Sequence, residues 1–237
     1  MDGFTFTDIF DTKGIEYLVI IGFLLLAIPF WIWLNRPVKM RPAGVPGTLS
    51  RRDLRIPQGL FFNRNHTWAF LEPSGMARVG LDDLLLKLTG DVKIDYLVDP
   101  MAYVRRGEPI VRIVRDGKHL DIASPLTGHV EYIHTSLNSD GELLLEDPYG
   151  EGWLCKLSPE RWSDETRSGY LAEEATRWIV QELASVRDFI MQSLQGRSPD
   201  NQALLVLQEG GELTGYPLSE MDADVWQDFQ QKFLDRT

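Results

Sequence analysis

Glu146-Asp147-Pro148-Tyr149-Gly150-Glu151-Gly152-Trp153-Leu154 decides how this chain folds. The string is far rarer than any single glycine motif, and it leads through Trp153-Leu154-Cys155 into a β-type run. Outward from it, residues 60–159 alternate short β-type runs with turns. Trp68-Ala69-Phe70-Leu71 ends at Pro73-Ser74-Gly75 and returns as Ala77-Arg78-Val79. Further runs lie at 94–98, 110–114, 120–123, 129–133 and 143–145, with a short helix expected over 81–88. Asp116-Gly117 stands between Ile113-Val114-Arg115 and Lys118-His119-Leu120. It is a two-residue hairpin signal, because such a turn needs positive φ, which Gly and Asp tolerate. Many short strands with frequent turns predict a mainly β sandwich or flattened barrel, with Trp68 and Trp153 offering it large apolar surfaces.

Along roughly a hundred residues the order and spacing of several motifs resemble the glycine cleavage system H protein. They are His66-Thr67-Trp68, residues 77–82 (Ala-Arg-Val-Gly-Leu-Asp), Leu88-Thr89-Gly90-Asp91, Gly107-Glu108-Pro109, Ser124-Pro125-Leu126-Thr127-Gly128 and the string at 146–154. The resemblance implies a lipoyl/biotinyl-carrier-like domain, the barrel-sandwich hybrid, which carries lipoate on a lysine at a hairpin tip in a Glu-Ser-x-Lys context. When Gly107-Glu108-Pro109 and Ser124-Pro125 are aligned with the family without gaps, the family lysine falls on Gly117 and its glutamate on Val114. Lys118 is one residue late and follows Arg115-Asp116-Gly117. Since the side-chain period of a strand is two, that displacement turns the side chain to the opposite face. Lys118 is the candidate lipoate attachment site, and otherwise a solvated hairpin lysine with no cofactor. His134 and Leu145 stand where the family usually has Asn.

The flanks differ in character. Residues 17–34 (YLVIIGFLLLAIPFWIWL) are an uninterrupted apolar run, about 27 Å of helix against the roughly 30 Å hydrocarbon core. Asp2, Asp8, Asp11 and Glu16 against Lys13, and bulky aromatics in the expected cleavage region, favour an uncleaved single-pass anchor over a signal peptide. Arg36, Lys39, Arg41, Arg51, Arg52 and Arg55 follow the run, so the positive-inside bias puts everything after it on the cytoplasmic face of the inner membrane. The expected layout is a short N-terminal segment at 1–16, the transmembrane helix at 17–34, a basic Pro/Gly-rich tether at 35–58, the carrier-like domain at 59–159 and an α-β-β-α extension at 160–237. In that α+β extension a helix starts at Ser163-Asp164-Glu165 and carries an apolar stripe from Leu171 to Leu194. A hairpin follows around Gly210-Gly211. A last helix, opened at Ser219-Glu220-Met221-Asp222, buries Val225 or Trp226, Phe229 and Phe233.

The chemistry is sparse. With 24 Lys+Arg against 35 Asp+Glu, the net charge of −11 speaks against a nucleic-acid partner. A single cysteine, Cys155, allows neither a disulfide nor a cysteine metal cluster and reads as a buried structural thiol. His129 and His134 are five apart on a strand, on opposite faces, and cannot share a metal. Asp82-Asp83 and Glu173-Glu174 read as solvated faces, and no phosphate loop, zinc spacing or nucleophile elbow occurs. No catalytic residue is expected. The expected function is a noncatalytic accessory or scaffold subunit, anchored in the membrane and partnered by protein subunits of a membrane complex, with electron transport a natural setting. The alternative is a lipoyl-lysine carrier using Lys118 in glycine cleavage or a related transfer pathway.

Overall fold

The structure, a computed structural model, describes residues 9–34, 49–138, 141–195, 213 and 215–236. It divides into two compact units, residues 1–43 and 44–237.

The described residues of the first unit form a helix, α1 (Ile9–Leu34), with Pro29 inside it. The expected membrane span forms a helix, yet no helix among the described residues is long and apolar enough to cross a membrane. The side chains described in α1 run over residues 17–31, about 22 Å of helix. Its large apolar side chains, from Tyr17 to Trp31, are exposed.

The second unit is built on two antiparallel sheets. The larger runs β1 (Phe61–Phe62), β2 (Thr67–Leu71), β3 (Ala77–Leu81), β9 (Trp153–Pro159), β8 (Gly128–Ile133) and β5 (Tyr103–Val104) in that spatial order; the smaller is β4 (Lys93–Tyr96), β6 (Pro109–Arg115) and β7 (Lys118–Ala123). Residues that alternate along the strands fill the space within: Val79, Leu81, Ile113, Leu120, Ile122, Val130, Leu154 and Leu157 are all fully buried. Trp68, also fully buried, lies over Gly80, where an added Cβ would come within 2.5 Å of the indole. No side chain other than hydrogen fits between these two strands.

The string at 146–154 proves to be a junction. Asp147 accepts hydrogen bonds from the Gly150 and Glu151 amides. Trp68 Nε1 donates to the carbonyls of Leu81 and Pro148. Tyr149 Oη donates to the Arg55 carbonyl and accepts from the Asp83 amide. Trp153 stacks on His134, with centroids 4.2 Å apart.

Three local expectations are corrected. Residues 143–145 belong to a helical turn, α3 (Glu142–Glu146), whose last carbonyls accept from the Arg55 guanidinium at 2.8 Å; only Leu144 is fully buried. The helix expected from Ser163 is two helices, α4 (Trp162–Thr166) and α5 (Ala172–Gln195). Tyr170 interrupts them by taking an extended conformation and exchanging two backbone hydrogen bonds with Phe62. Asp82 and Asp83 are buried, not solvated. Asp82 caps α2 (Asp83–Thr89) by accepting from the Leu85 amide, and Asp83 binds Arg55 and Lys87.

Beyond α5, the hairpin expected around Gly210-Gly211 lies outside the described residues. The last helix, α6 (Ala223–Phe229), continues as a π-type turn (Gln230–Leu234), and Val225, Trp226, Phe229, Phe233 and Leu234 are buried.

Candidate functional site: the β6–β7 hairpin and its cover

Asp116 and Gly117 have φ of 49° and 77°, so the turn is of the two-residue type with both central residues left-handed. Arg115 pairs directly with Lys118 across it. Gly117 therefore occupies the apex, and a Cβ built there would meet nothing within 4 Å. Lys118 stands one step down, on the first position of β7.

The expectation of a solvated lysine fails here. Lys118 is half-buried, and its Nζ donates to the carbonyls of Ser219 at 2.6 Å and Met221 at 3.0 Å, 5.5 Å from the Trp226 ring centroid. All three partners come from the C-terminal extension. On the other side of the turn, Arg115 Nη1 donates to the Thr89 carbonyl at 2.6 Å and its guanidinium lies over Tyr216. Leu218 donates to the Leu88 carbonyl, and Trp226 Nε1 to the Leu218 carbonyl, which fixes the segment against α2 and the hairpin. Further along β7, the Gln230 side-chain amide accepts from the Asp121 amide at 2.9 Å and donates to its carbonyl at 3.0 Å. β7 is an edge strand, and this side chain does what a neighbouring strand would do.

A second buried centre ties the extension to the β domain. His66 is fully buried with φ of 59°, and its Nδ1 lies 2.8 Å from Asp82 Oδ2. Nε2 has no hydrogen-bond partner but faces Glu182 Oε1 at 3.8 Å, and that carboxylate accepts from Arg236 at 3.1 Å. Trp178 and Phe229 close over the ring. Burial opposes the charged form. The Asp82 charge and hydrogen bond, with Glu182 behind them, outweigh it and raise the His66 pKa above its ordinary value, while Arg236 works the other way. In the sequence His66 stands out only as part of the His66-Thr67-Trp68 motif. Its role depends on Glu182 and Arg236, which are remote in sequence.

Cys155 is buried in β9, and burial pushes its thiol up to about 12, so little thiolate forms near neutrality. Among the described residues no group of His, Cys, Asp and Glu is placed to hold a metal ion.

The glycine cleavage H-protein model matches residues 60–182. This chain belongs to the glycine cleavage H-protein family. The H protein of Rubrobacter xylanophilus is 37% identical over 123 residues, covering 50% of this chain and 97% of that protein. That of Mycolicibacterium smegmatis is 33% identical over 128 residues, 54% of this chain and 98% of its own. A solved H-protein structure from Mycobacterium marinum has 24% identity and a TM-score of 0.41, covering 44% of this chain and 86% of that one. The family match ends within α5, so the segment that covers Lys118 lies outside it.

Proposed function

We propose that the protein is a noncatalytic carrier module of the H-protein type and that Lys118 is its attachment amine for lipoate. What carries the reading is that a chain of this family places a lysine beside the tip of the β6–β7 hairpin. The partners would be the enzymes of the glycine cleavage system or of a related transfer pathway. The residues accept a lipoyl group only with the C-terminal segment displaced, because Nζ already donates to Ser219 and Met221. Acylation turns the ammonium into a neutral amide with one N–H, so the arm and the closed cover oppose each other. When bound, lipoate supplies a dithiolane that accepts a group or electrons. The chain's own part is to hold the hairpin rigid and to expose or bury the amine.

A second reading is favoured by the same carbonyls and by Gly117 at the open apex: Lys118 pins the extension, and the module serves as a scaffold. Under either reading the apolar run at 17–34, followed by basic residues, would attach the chain to the inner membrane with the carrier domain on the cytoplasmic side. The apolar side chains displayed all round residues 17–31 suit lipid better than water. Peptide mapping around Lys118, with intact mass of protein from lipoate-replete cells, separates the two readings. A lipoylated peptide is the carrier's result, and a wholly unmodified one leaves only the scaffold. Membrane attachment is checked by alkaline carbonate extraction, which would release a chain that is not inserted.

A further inference from the structure

At the base of the same hairpin lies a cavity of about 180 Å³. Its walls bring together Arg64 from the turn before β2, Arg106 from the turn before β6 and Arg236 from the C-terminal end, with Asn63, Asn65 and Ser168 between them. Among the described residues no carboxylate lines it, although the chain carries a net charge of −11. Arg64 donates to Tyr170 Oη through Nε. Arg106 donates to the Glu165 carbonyl and to Ser168 Oγ. Neither pairs with a carboxylate among the described residues, while Arg236 is matched by Glu182. The site thus holds, in a concave space, two guanidinium groups that have no carboxylate partner among the described residues. Guanidinium groups gathered in a cleft without carboxylate partners focus a local positive potential that attracts anions.

We propose that this cavity binds a phosphoryl group, as free phosphate or as the headgroup of an anionic lipid. Guanidinium groups arriving from three segments suit a tetrahedral dianion with several acceptor oxygens, whereas a planar carboxylate is satisfied by one bidentate arginine. Two guanidinium groups with no carboxylate partner among the described residues match the charge of phosphate near neutrality. Because Arg236 belongs to the segment that covers Lys118, a ligand held by all three arginines also favours the covered state, by linkage. This inference does not depend on lipoylation.

The test is calorimetric titration of the full chain, in mild detergent, with inorganic phosphate, with short-chain phosphatidic acid and with succinate, at matched ionic strength. Arg64→Gln and Arg106→Gln serve as variants, their folding checked by circular dichroism. Saturable phosphate binding, weakened about tenfold or more in each folded variant, is the expected result. Binding of phosphatidic acid alone keeps the phosphoryl site and assigns a lipid source. Succinate binding as tightly as phosphate, no binding of either phosphoryl ligand, or unchanged affinity in both variants overturns the proposal. Hydrogen exchange over residues 215–236 reads the linkage, and slower exchange with phosphate is expected.

Discussion

Replacing Lys118 by Met keeps the length and most of the apolar stem of the side chain while deleting the ammonium. Two hydrogen bonds to carbonyls, at 2.6 and 3.0 Å, and a contact 5.5 Å from the Trp226 centroid are lost together. A hydrogen bond from a charged donor is worth about 1.5–3 kcal/mol and a cation–π contact about 0.5–1 kcal/mol. Lys118 is only half-buried, and the freed carbonyls of Ser219 and Met221 can meet water once the segment lifts, so the loss falls below the roughly 3.5 kcal/mol to which the low ends sum. Lys118→Met should therefore weaken closure of the C-terminal segment by about 2–3 kcal/mol, a rise of roughly 30- to 150-fold in its open population. Hydrogen exchange reads this directly at two amides whose partners lie across the contact: Leu218, bonded to the Leu88 carbonyl, and Asp121, bonded to Gln230. Both should exchange faster by about that factor while the amides of β3 and β9 stay slow. Unchanged rates at Leu218 and Asp121 would show that the ammonium does not hold the cover, and the scaffold reading of this lysine would fall with it.

Two further outcomes follow from the same geometry. The raised pKa of His66 means that its contribution to stability is fully present below its ordinary value, about 6.5, and is lost as pH rises through the folded value. The urea midpoint should thus fall as pH increases from about 6.5 upward, and His66→Asn, which tolerates the left-handed backbone there, should abolish that slope; a slope retained in the variant would assign it to other groups. Gly117→Lys places an amine at the open apex, at about 1–2 kcal/mol of backbone strain. It should be modified by a lipoate ligase in vitro faster than Lys118 in the parent chain, as read by mass spectrometry, and an unmodified variant would refute the register argument.

The hairpin was legible in the sequence because its signal is local: Asp116-Gly117 demands a particular turn, and the turn fixes Arg115 opposite Lys118. Burial of Trp68 and Cys155 and the pattern of the last helix followed equally from neighbouring residues. What failed was set by distant partners. Asp82 and Asp83 look like a solvated pair until His66, Arg55 and Lys87 are brought to them. Residues 143–145 read as a strand because three leucines carry no period, and it is Arg55, some ninety residues away, that receives the carbonyls of the turn. Lys118 looked solvated because nothing in a β-hairpin announces that residues 219, 221 and 226 will close over it.

The cover is better explained as a feature of this chain than as incidental packing. Apolar burial alone would have been satisfied by Trp226, Phe229 and Phe233 against the sheet, with no polar pairing required. Yet the segment spends backbone carbonyls on Lys118, a side-chain amide on the exposed edge at Asp121, and Arg236 on a carboxylate facing buried His66. Each of these meets a polar group that burial would otherwise leave unsatisfied, and an unpaired buried charge is among the largest destabilising terms known. Displacing the segment therefore re-exposes an edge strand, an amine and an ion-pair network together, so opening is cooperative. Truncation after residue 212 should accordingly raise exchange across β7 and at His66 in a single step. Partial, independent loosening at the two places would show that they are separate contacts and not one cover.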